Sequence, residues 1–274
     1  MLVGIAENKA NIINEEQNLI QNKIKSAWNE GRVAINVFLS TPSSFSAEVM
    51  ASLDWDGVTI DMQHGVIDYG SLIPMLQGIS RYEPSPMVRV PWNDPAIIMK
   101  SLDAGAYGVI CPMINNKKEC ENFVKACRYA PYGYRSTGPI RAVFYAGSDY
   151  HYHADTTILT FAMIETQEAI ENLDEICSVN GLDAIYIGPS DLSVSLGGGP
   201  GGDQREKTVV KRIEEALSSA HRHGIKAGIH TMSAEYAIEM IEKGFDLVTL
   251  SSDFRHMIAN ASDMLAAVKI QKDR

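Results

Sequence analysis

Residues 86–113 read PMVRVPWNDPAIIMKSLDAGAYGVICPM, and the order of residue types in this stretch sets the fold class. Pro86–Val90 is a short strand-like run whose one charge is Arg89. Pro95–Ala104 has the spacing of an amphipathic helix, and Asp103-Ala-Gly105 places a glycine just past its end, where a left-handed cap is wanted. Gly108–Met113 is short and apolar again. The flanking runs are almost continuously hydrophobic, as strands of a parallel sheet must be when both faces are covered.

The same unit recurs outward in both directions. Strand-like runs fall at Val33–Phe38, Gly57–Met62, Ile158–Ile164, Asp183–Ile187, Lys226–His230 and Asp246–Leu250. Helix-like stretches include Lys118–Tyr129, Glu168–Cys177, Lys207–His221 and Ala234–Lys243, and His223-Gly224 and Glu242-Lys-Gly244 repeat the glycine stop. Eight units predict an α/β fold, a closed (β/α)8 TIM barrel, as one domain over residues 1–274 with the barrel proper at 31–274. An open doubly wound sheet is the alternative, but its usual GxGxxG turn after an early strand is missing.

Three segments lie outside the alternation. Residues 1–30 form an N-terminal extension in which Asn14–Asn29 is expected to be an extra helix plugging or flanking the barrel's bottom. Pro131–Thr156 reads as a long connection between the fourth helix and the fifth strand. Leu196–Asp203 (LGGGPGGD) lacks the lysine and hydroxyl residue of a phosphate-binding loop and reads as a flexible loop or assembly contact. His151 and His153 have a spacing two metal ligands can use, but without a third ligand they read as ordinary loop residues.

Composition removes several function classes. The chain has 274 residues, 45% of them hydrophobic and 21% charged, which is ordinary for a globular protein and unlike a disordered or collagen-like one. Lys and Arg number 24 against 34 Asp and Glu, a net charge of −10 and the wrong sign for a nucleic-acid or anionic membrane surface. No apolar run is long enough to span a bilayer, and no basic-then-apolar export pattern opens the chain. Cys111, Cys120, Cys127 and Cys177 stand at no metal-binding spacing and read as reduced thiols, so a cytoplasmic location is expected.

A barrel carries its chemistry where the strands end. The second strand ends with Asp61, Gln63 and His64, the third carries Arg89, the fifth ends at Glu165 and the sixth at Ser190 and Asp191. A strand-end carboxylate is often a helix cap, and Asp191 is placed to be one. Thr166 already serves as a cap after Glu165, which leaves Glu165 surplus to that duty. Neighbouring strands lie about 5 Å apart, so Glu165 and Asp191 suit two oxygen ligands on one hard cation, with water and substrate completing an Mg²⁺ or Mn²⁺ shell. A buried Arg89 needs a partner, and a carboxylate or enolate oxygen of a ligand is favoured over structural pairing. His64, beside Asp61 on the rim, is a candidate general base. Asp103 sits in the last turn of its helix against the dipole, where a hydrogen bond to an imidazole would compensate it, or where it is simply solvated.

Taken together, IDMQHG (60–65), VRVPWNDP (88–95), LDAGAYGVICPM (102–113), RYAPYGYRSTG (128–138), MIETQEAIENLDEI (163–176) and IGPSDLS (187–193) resemble the HpcH/HpaI aldolase family of metal-dependent, class II pyruvate aldolases. The family includes 4-hydroxy-2-oxoheptanedioate, 2-dehydro-3-deoxyglucarate and 2-keto-3-deoxy-rhamnonate aldolases. The resemblance implies a barrel whose C-terminal helix is exchanged between subunits, in homo-hexamers built as trimers of dimers. It implies a divalent cation (Mg²⁺, Mn²⁺ or Co²⁺) on Glu165 and Asp191, and Arg89 on the pyruvyl oxygen. His64 is implied as base and Asp103 as the carboxylate that raises its basicity. Ser190, with Gly188, Pro189 and Asp191, is implied in receiving the substrate.

The chain departs from the family pattern at Gln63, where glutamate is common, and at Met163, where glutamine is common. It reads Arg135-Ser-Thr-Gly138 for the usual RGxG, followed by an unusual AVFYAGSDYHYH (142–153). These differences fall on the aldehyde side of specificity. The expected reaction is reversible cleavage of a 4-hydroxy-2-oxo acid into pyruvate and an aldehyde. No lysine stands at these strand ends for a Schiff base. A relative with another acceptor (a siderophore-type citrate synthase or a coenzyme A ester lyase) and a catalytically degenerate 2-oxo-acid-binding barrel are the alternatives.

Overall fold

The computed structural model describes residues 20–272. Eight parallel strands close into a barrel in sequence order: β1 (Ala34–Leu39), β2 (Gly57–Asp61), β3 (Ser85–Arg89), β4 (Gly108–Cys111), β5 (Leu159–Ile164), β6 (Ala184–Ile187), β7 (Lys226–Thr231) and β8 (Leu247–Ser252). β1 pairs with both β2 and β8, so the sheet has no free edge. The open-sheet alternative is thereby removed.

One to three helices follow each strand. They are α2 (Ser44–Ala51), α3 (Tyr69–Ile79), α4 (Pro95–Asp103), α5 (Lys117–Cys127), α6 (Ile140–Ala146), α7 (Tyr150–Thr157), α8 (Gln167–Glu171), α9 (Leu173–Cys177), α10 (Pro189–Ser195), α11 (Lys207–Arg222), α12 (Ala234–Lys243) and α13 (Asp253–Lys272), with α1 (Lys23–Asn29) ahead of the barrel. Several differ from the sequence reading. The long connection after α5 contains two helices, α6 and α7, rather than irregular chain. The single helix expected at Glu168–Cys177 is broken at Asn172, which reaches back to donate to the Asn115 carbonyl at 2.9 Å.

The barrel wall separates two apolar cores. One lies between strands and helices and holds most of the buried leucine, isoleucine and valine. The other fills the lumen with Ala34, Met87, Ile110, Phe161, Tyr186 and Leu247, among others. Side chains from alternate strands stack in layers inside such barrels. Here Phe38, Arg89, Met163 and His230, one each from β1, β3, β5 and β7, face the rim cavity as its floor.

The bottom is closed by α1. The expected start of this helix at Asn14 lies outside the described residues, and the described helix begins at Lys23. Asn22 caps it through its side-chain oxygen (3.3 Å from the Lys25 amide) while its Nδ2 donates to the carbonyls of Tyr107 and Thr157, each at 3.0 Å. The Lys23 amide donates to Ser85 Oγ at 2.7 Å and Trp28 Nε1 to the Asp246 carbonyl at 2.7 Å. These partners stand at or just before the starts of β3, β4, β5 and β8, and Ile24 and Ala27 enter the lumen core. The helix is a plug, as expected.

Candidate active site

The C-terminal strand ends surround a cavity of 760 Å³. Its best-defined element is an ion pair. Asp61 and Arg89 are ladder partners at the ends of β2 and β3. Arg89 Nε donates to Asp61 Oδ1 at 2.8 Å and Nη2 to Oδ2 at 2.7 Å, a bidentate fork. The guanidinium also lies over the Phe38 ring, 4.8 Å from its centre. Burial alone would raise the Asp61 carboxyl, but Arg89 and the Gln63 and His64 amides hold it below its ordinary value. Those two amides, 3.1 and 3.3 Å from Oδ1, curl the chain after β2 and set His64 at the cavity's edge.

Arg89 therefore has a protein partner, where the sequence reading favoured a ligand. Two of its nitrogens are committed to Asp61. Its Nη1 makes no hydrogen bond among the described residues and is the group left for an anion.

Glu165 follows β5 directly, is 2% exposed, and accepts the Met113 amide on Oε1 at 2.8 Å. Its Oε2 is so close to Gly188 that a Cβ there would stand 2.7 Å away. Burial, with the negative charge of Asp191 adding to it, pushes the Glu165 carboxyl up to about 7. Neither acid is used as a cap: Thr166 Oγ1 accepts from Ala169 at the start of α8, and α10 starts from Gly188 without a side-chain cap. Asp191 lines the cavity, with Gly188, Pro189 and Ser190 beside it.

Two like-charged carboxylates, one buried with an oxygen that no donor among the described residues covers, form a set that a divalent cation fits, since the cation's charge favours the ionised form that burial opposes. Among the described residues no cluster of three or more His, Cys, Asp or Glu side chains could hold a metal, so the protein's share of such a shell is this pair.

Asp103 is placed elsewhere. It ends α4, which begins after the β3 rim and runs back about 13 Å toward the barrel's bottom. Its carboxylate accepts from Arg135 Nη2 at 2.7 Å, and Arg135 is buried between Tyr129 and Tyr150, donating to the Tyr150 hydroxyl at 3.1 Å. The compensation expected from an imidazole comes from this arginine, and Asp103 and His64 are not brought together within one chain. His151 and His153 do not converge either: both lie on α7, one against the Tyr129 ring and the other 3.4 Å from Asp149.

The glycine-rich loop is a wall of the site rather than a loose connection. Pro200, Gly201 and Gly202 line the cavity, and the Gly201 amide donates to Ser190 Oγ at 3.3 Å. Asp203 fastens the loop to the end of β7, accepting from the Met232 amide at 2.7 Å and the Ser233 hydroxyl at 2.6 Å. A Cβ on Gly202 would collide with Met232. His230, Phe254 and Arg255 also line the cavity and were not singled out from the sequence. His230 was legible by the rule that found Arg89, since it is a polar residue near the end of an apolar strand.

The description "HpcH/HpaI aldolase/citrate lyase" belongs to a family model that matches residues 34–260. The chain is 44% identical over 245 residues to a hydroxypyruvate/pyruvate aldolase of Rhizorhabdus wittichii, covering 89% of this chain and 98% of that one. It is 34% identical over 251 residues to a 4-hydroxy-2-oxo-heptane-1,7-dioate aldolase of Klebsiella pneumoniae, covering 90% and 94%. Among solved structures it superposes on an HpcH/HpaI aldolase/citrate lyase family protein of Burkholderia cenocepacia with a TM-score of 0.85 and 26% identity, covering 91% of this chain and all of that one. It superposes on the citrate synthase SbnG with a TM-score of 0.83 and 30% identity, covering 93% and 100%. The matched span takes in all eight strands, so the likeness is to a whole barrel, and the chain belongs to the HpcH/HpaI aldolase/citrate lyase family.

Proposed function

We infer that this protein is a carbon–carbon lyase that reversibly cleaves a 4-hydroxy-2-oxo acid into an aldehyde and a three-carbon 2-oxo acid, pyruvate or its 3-hydroxy analogue, through an enolate. The observation that carries the reading is that an anion-ready Arg89 and Asp191 line one cavity while the buried Glu165 carboxylate lies close enough to feel the charge of both. Citrate formation, coenzyme A ester cleavage and a degenerate barrel are not favoured, since the relatives at 44% and 34% identity are both named as aldolases.

Cleavage of the C3–C4 bond leaves an electron pair on the 2-oxo acid fragment, and the 4-hydroxyl must lose its proton as the aldehyde forms. His64 takes that proton. Arg89, preorganised by Asp61, meets the enolate oxygen with Nη1. The Ser190 segment at the start of α10 receives the substrate carboxylate, with Gly188 and Pro189 shaping the wall. Glu165 and Asp191 would hold a divalent cation, which when bound would supply an electrophile for the 2-oxo group. Return of a proton to C3 completes the pyruvate.

Asp103 can serve as the partner of a His64 only across a contact between copies, given its place near the barrel's bottom. The helix α13 fits the same assembly: its apolar Met257, Ile258, Met264, Leu265 and Val268 are all exposed along a helix that leaves the barrel. A homo-oligomer that exchanges α13, of the trimer-of-dimers kind, would cover them.

The test is pyruvate release from 4-hydroxy-2-oxo acids, followed by coupled NADH oxidation, before and after chelation. Chelated protein is expected to lose at least about 99% of its activity and recover it with Mn²⁺ or Mg²⁺. Full activity after complete metal removal overturns the reading.

A further inference from the structure

The floor of the cavity holds two polar side chains, Arg89 and His230, and the reaction as derived uses one of them. The surroundings of His230 define its state. Its Nδ1 lies 3.4 Å from the Tyr186 hydroxyl, which donates its proton to Thr249 Oγ1 at 2.7 Å. That threonine oxygen also receives Asn36 Nδ2 at 2.9 Å, and Asn36 Oδ1 in turn accepts from Thr59 at 3.0 Å. Tyr186 and Asn36 thus both donate to Thr249 Oγ1, and with its own proton spent there the Tyr186 oxygen offers His230 a lone pair. The ring proton belongs on Nδ1, and Nε2 is an unprotonated acceptor. Among the described residues Nε2 has no hydrogen-bond partner, and the ring, held 5.1 Å from Phe38, faces the cavity. Burial, with the Arg89 charge adding to it, pushes the imidazole down to about 4, so the acceptor persists at neutral pH.

A fixed, uncharged acceptor recognises an O–H donor. His230 is a strand residue like Arg89, on β7 and β3 respectively, whereas Glu165 and Asp191 follow the ends of β5 and β6, and Pro200–Gly202, Phe254 and Arg255 line the cavity from segments beyond the strands. The group in reach of the two strand residues is the 2-oxo acid that becomes the enolate, and the aldehyde lies toward the segments beyond them. We propose that Nε2 of His230 accepts a hydrogen bond from a hydroxyl on C3 of the donor 2-oxo acid, making His230 the residue that favours 3-hydroxy-2-oxo acids over their deoxy counterparts. This rests on the enolate-forming reading given above.

Exchange of C3 hydrogens for deuterium, read by proton NMR on the metal-loaded protein with hydroxypyruvate or pyruvate alone and corrected for the uncatalysed rate, isolates the donor from any aldehyde. In His230→Leu the hydroxypyruvate-to-pyruvate rate ratio is expected to fall about tenfold, the loss of one hydrogen bond, and in His230→Gln to recover in part because the amide oxygen restores an acceptor. A ratio within twofold of the wild type in both variants overturns the proposal while leaving the lyase reading intact. Wild-type protein that exchanges neither substrate overturns the lyase reading and this proposal with it. A measurement that needs no variant is the nitrogen-15 signal of Nε2: hydroxypyruvate is expected to shift it and pyruvate not, and equal responses count against the proposal.

Discussion

Asp61 and Arg89 hold each other with side chains only 3% and 10% exposed, so each is the other's main compensation for leaving water. Removing one partner strands a buried charge. Asp61→Ala is expected to cost about 3–5 kcal/mol, read from the chemical denaturation midpoint, and to abolish turnover, whereas Asp61→Ala with Arg89→Met should recover most of the stability and none of the activity. The Asp61 carboxyl lies below its ordinary value in the fold, so its contribution is complete above about pH 4 and is lost as the pH falls through the folded value. Sequence alone placed Arg89 and Asp61 on one rim but not in each other's grip, because strand register, which sets Asp61 opposite Arg89, is not written in either strand separately. Glu165 was legible for a local reason: the chain already had a cap in Thr166, and the structure leaves the acid free of that duty.

At the scale of elements, the eight strands were legible within one or two residues because a strand buried on both faces can only be a short apolar run. The connection after α5 was not. Its residues are aromatic, basic and glycine-spaced, and α6 and α7 gain their order from tertiary contacts such as Arg135 between two tyrosines rather than from helical periodicity. The glycine-rich loop was misread for a related reason. Its fixed shape comes from Asp203 bonding to the distant end of β7. The plug α1 depends on one residue more than on its own seven: Asn22 caps the helix and satisfies two buried carbonyls at once. Asn22→Ala is expected to destabilise the protein by about 2–4 kcal/mol and to speed amide hydrogen exchange first at the starts of β4 and β5. Loss spread evenly over the barrel would show that α1 is not a local closure.

At the scale of the whole molecule, the placement of Asp103 sets a condition on assembly. A helix of nine residues separates it from the rim on which His64 stands, and its own guanidinium partner fixes it near the opposite face. One chain therefore carries the base at one end and the carboxylate proposed to assist it at the other. If stacking of copies joins them, the two defects are complementary in trans. His64→Ala and Asp103→Ala homo-oligomers are each expected to be nearly inactive. In a mixed oligomer, a subunit carrying Asp103→Ala still has its own His64 and can take the intact Asp103 of a neighbour that carries His64→Ala. Co-expressed and co-purified, the pair should regain up to about a quarter of wild-type turnover, since each site needs one particular neighbour and random assembly supplies His64 in half the sites and Asp103 to half of those. A mixture that stays as inactive as its components, with mixed oligomers verified by mass spectrometry, would show that Asp103 does its work within its own chain, through Arg135, as a structural pair.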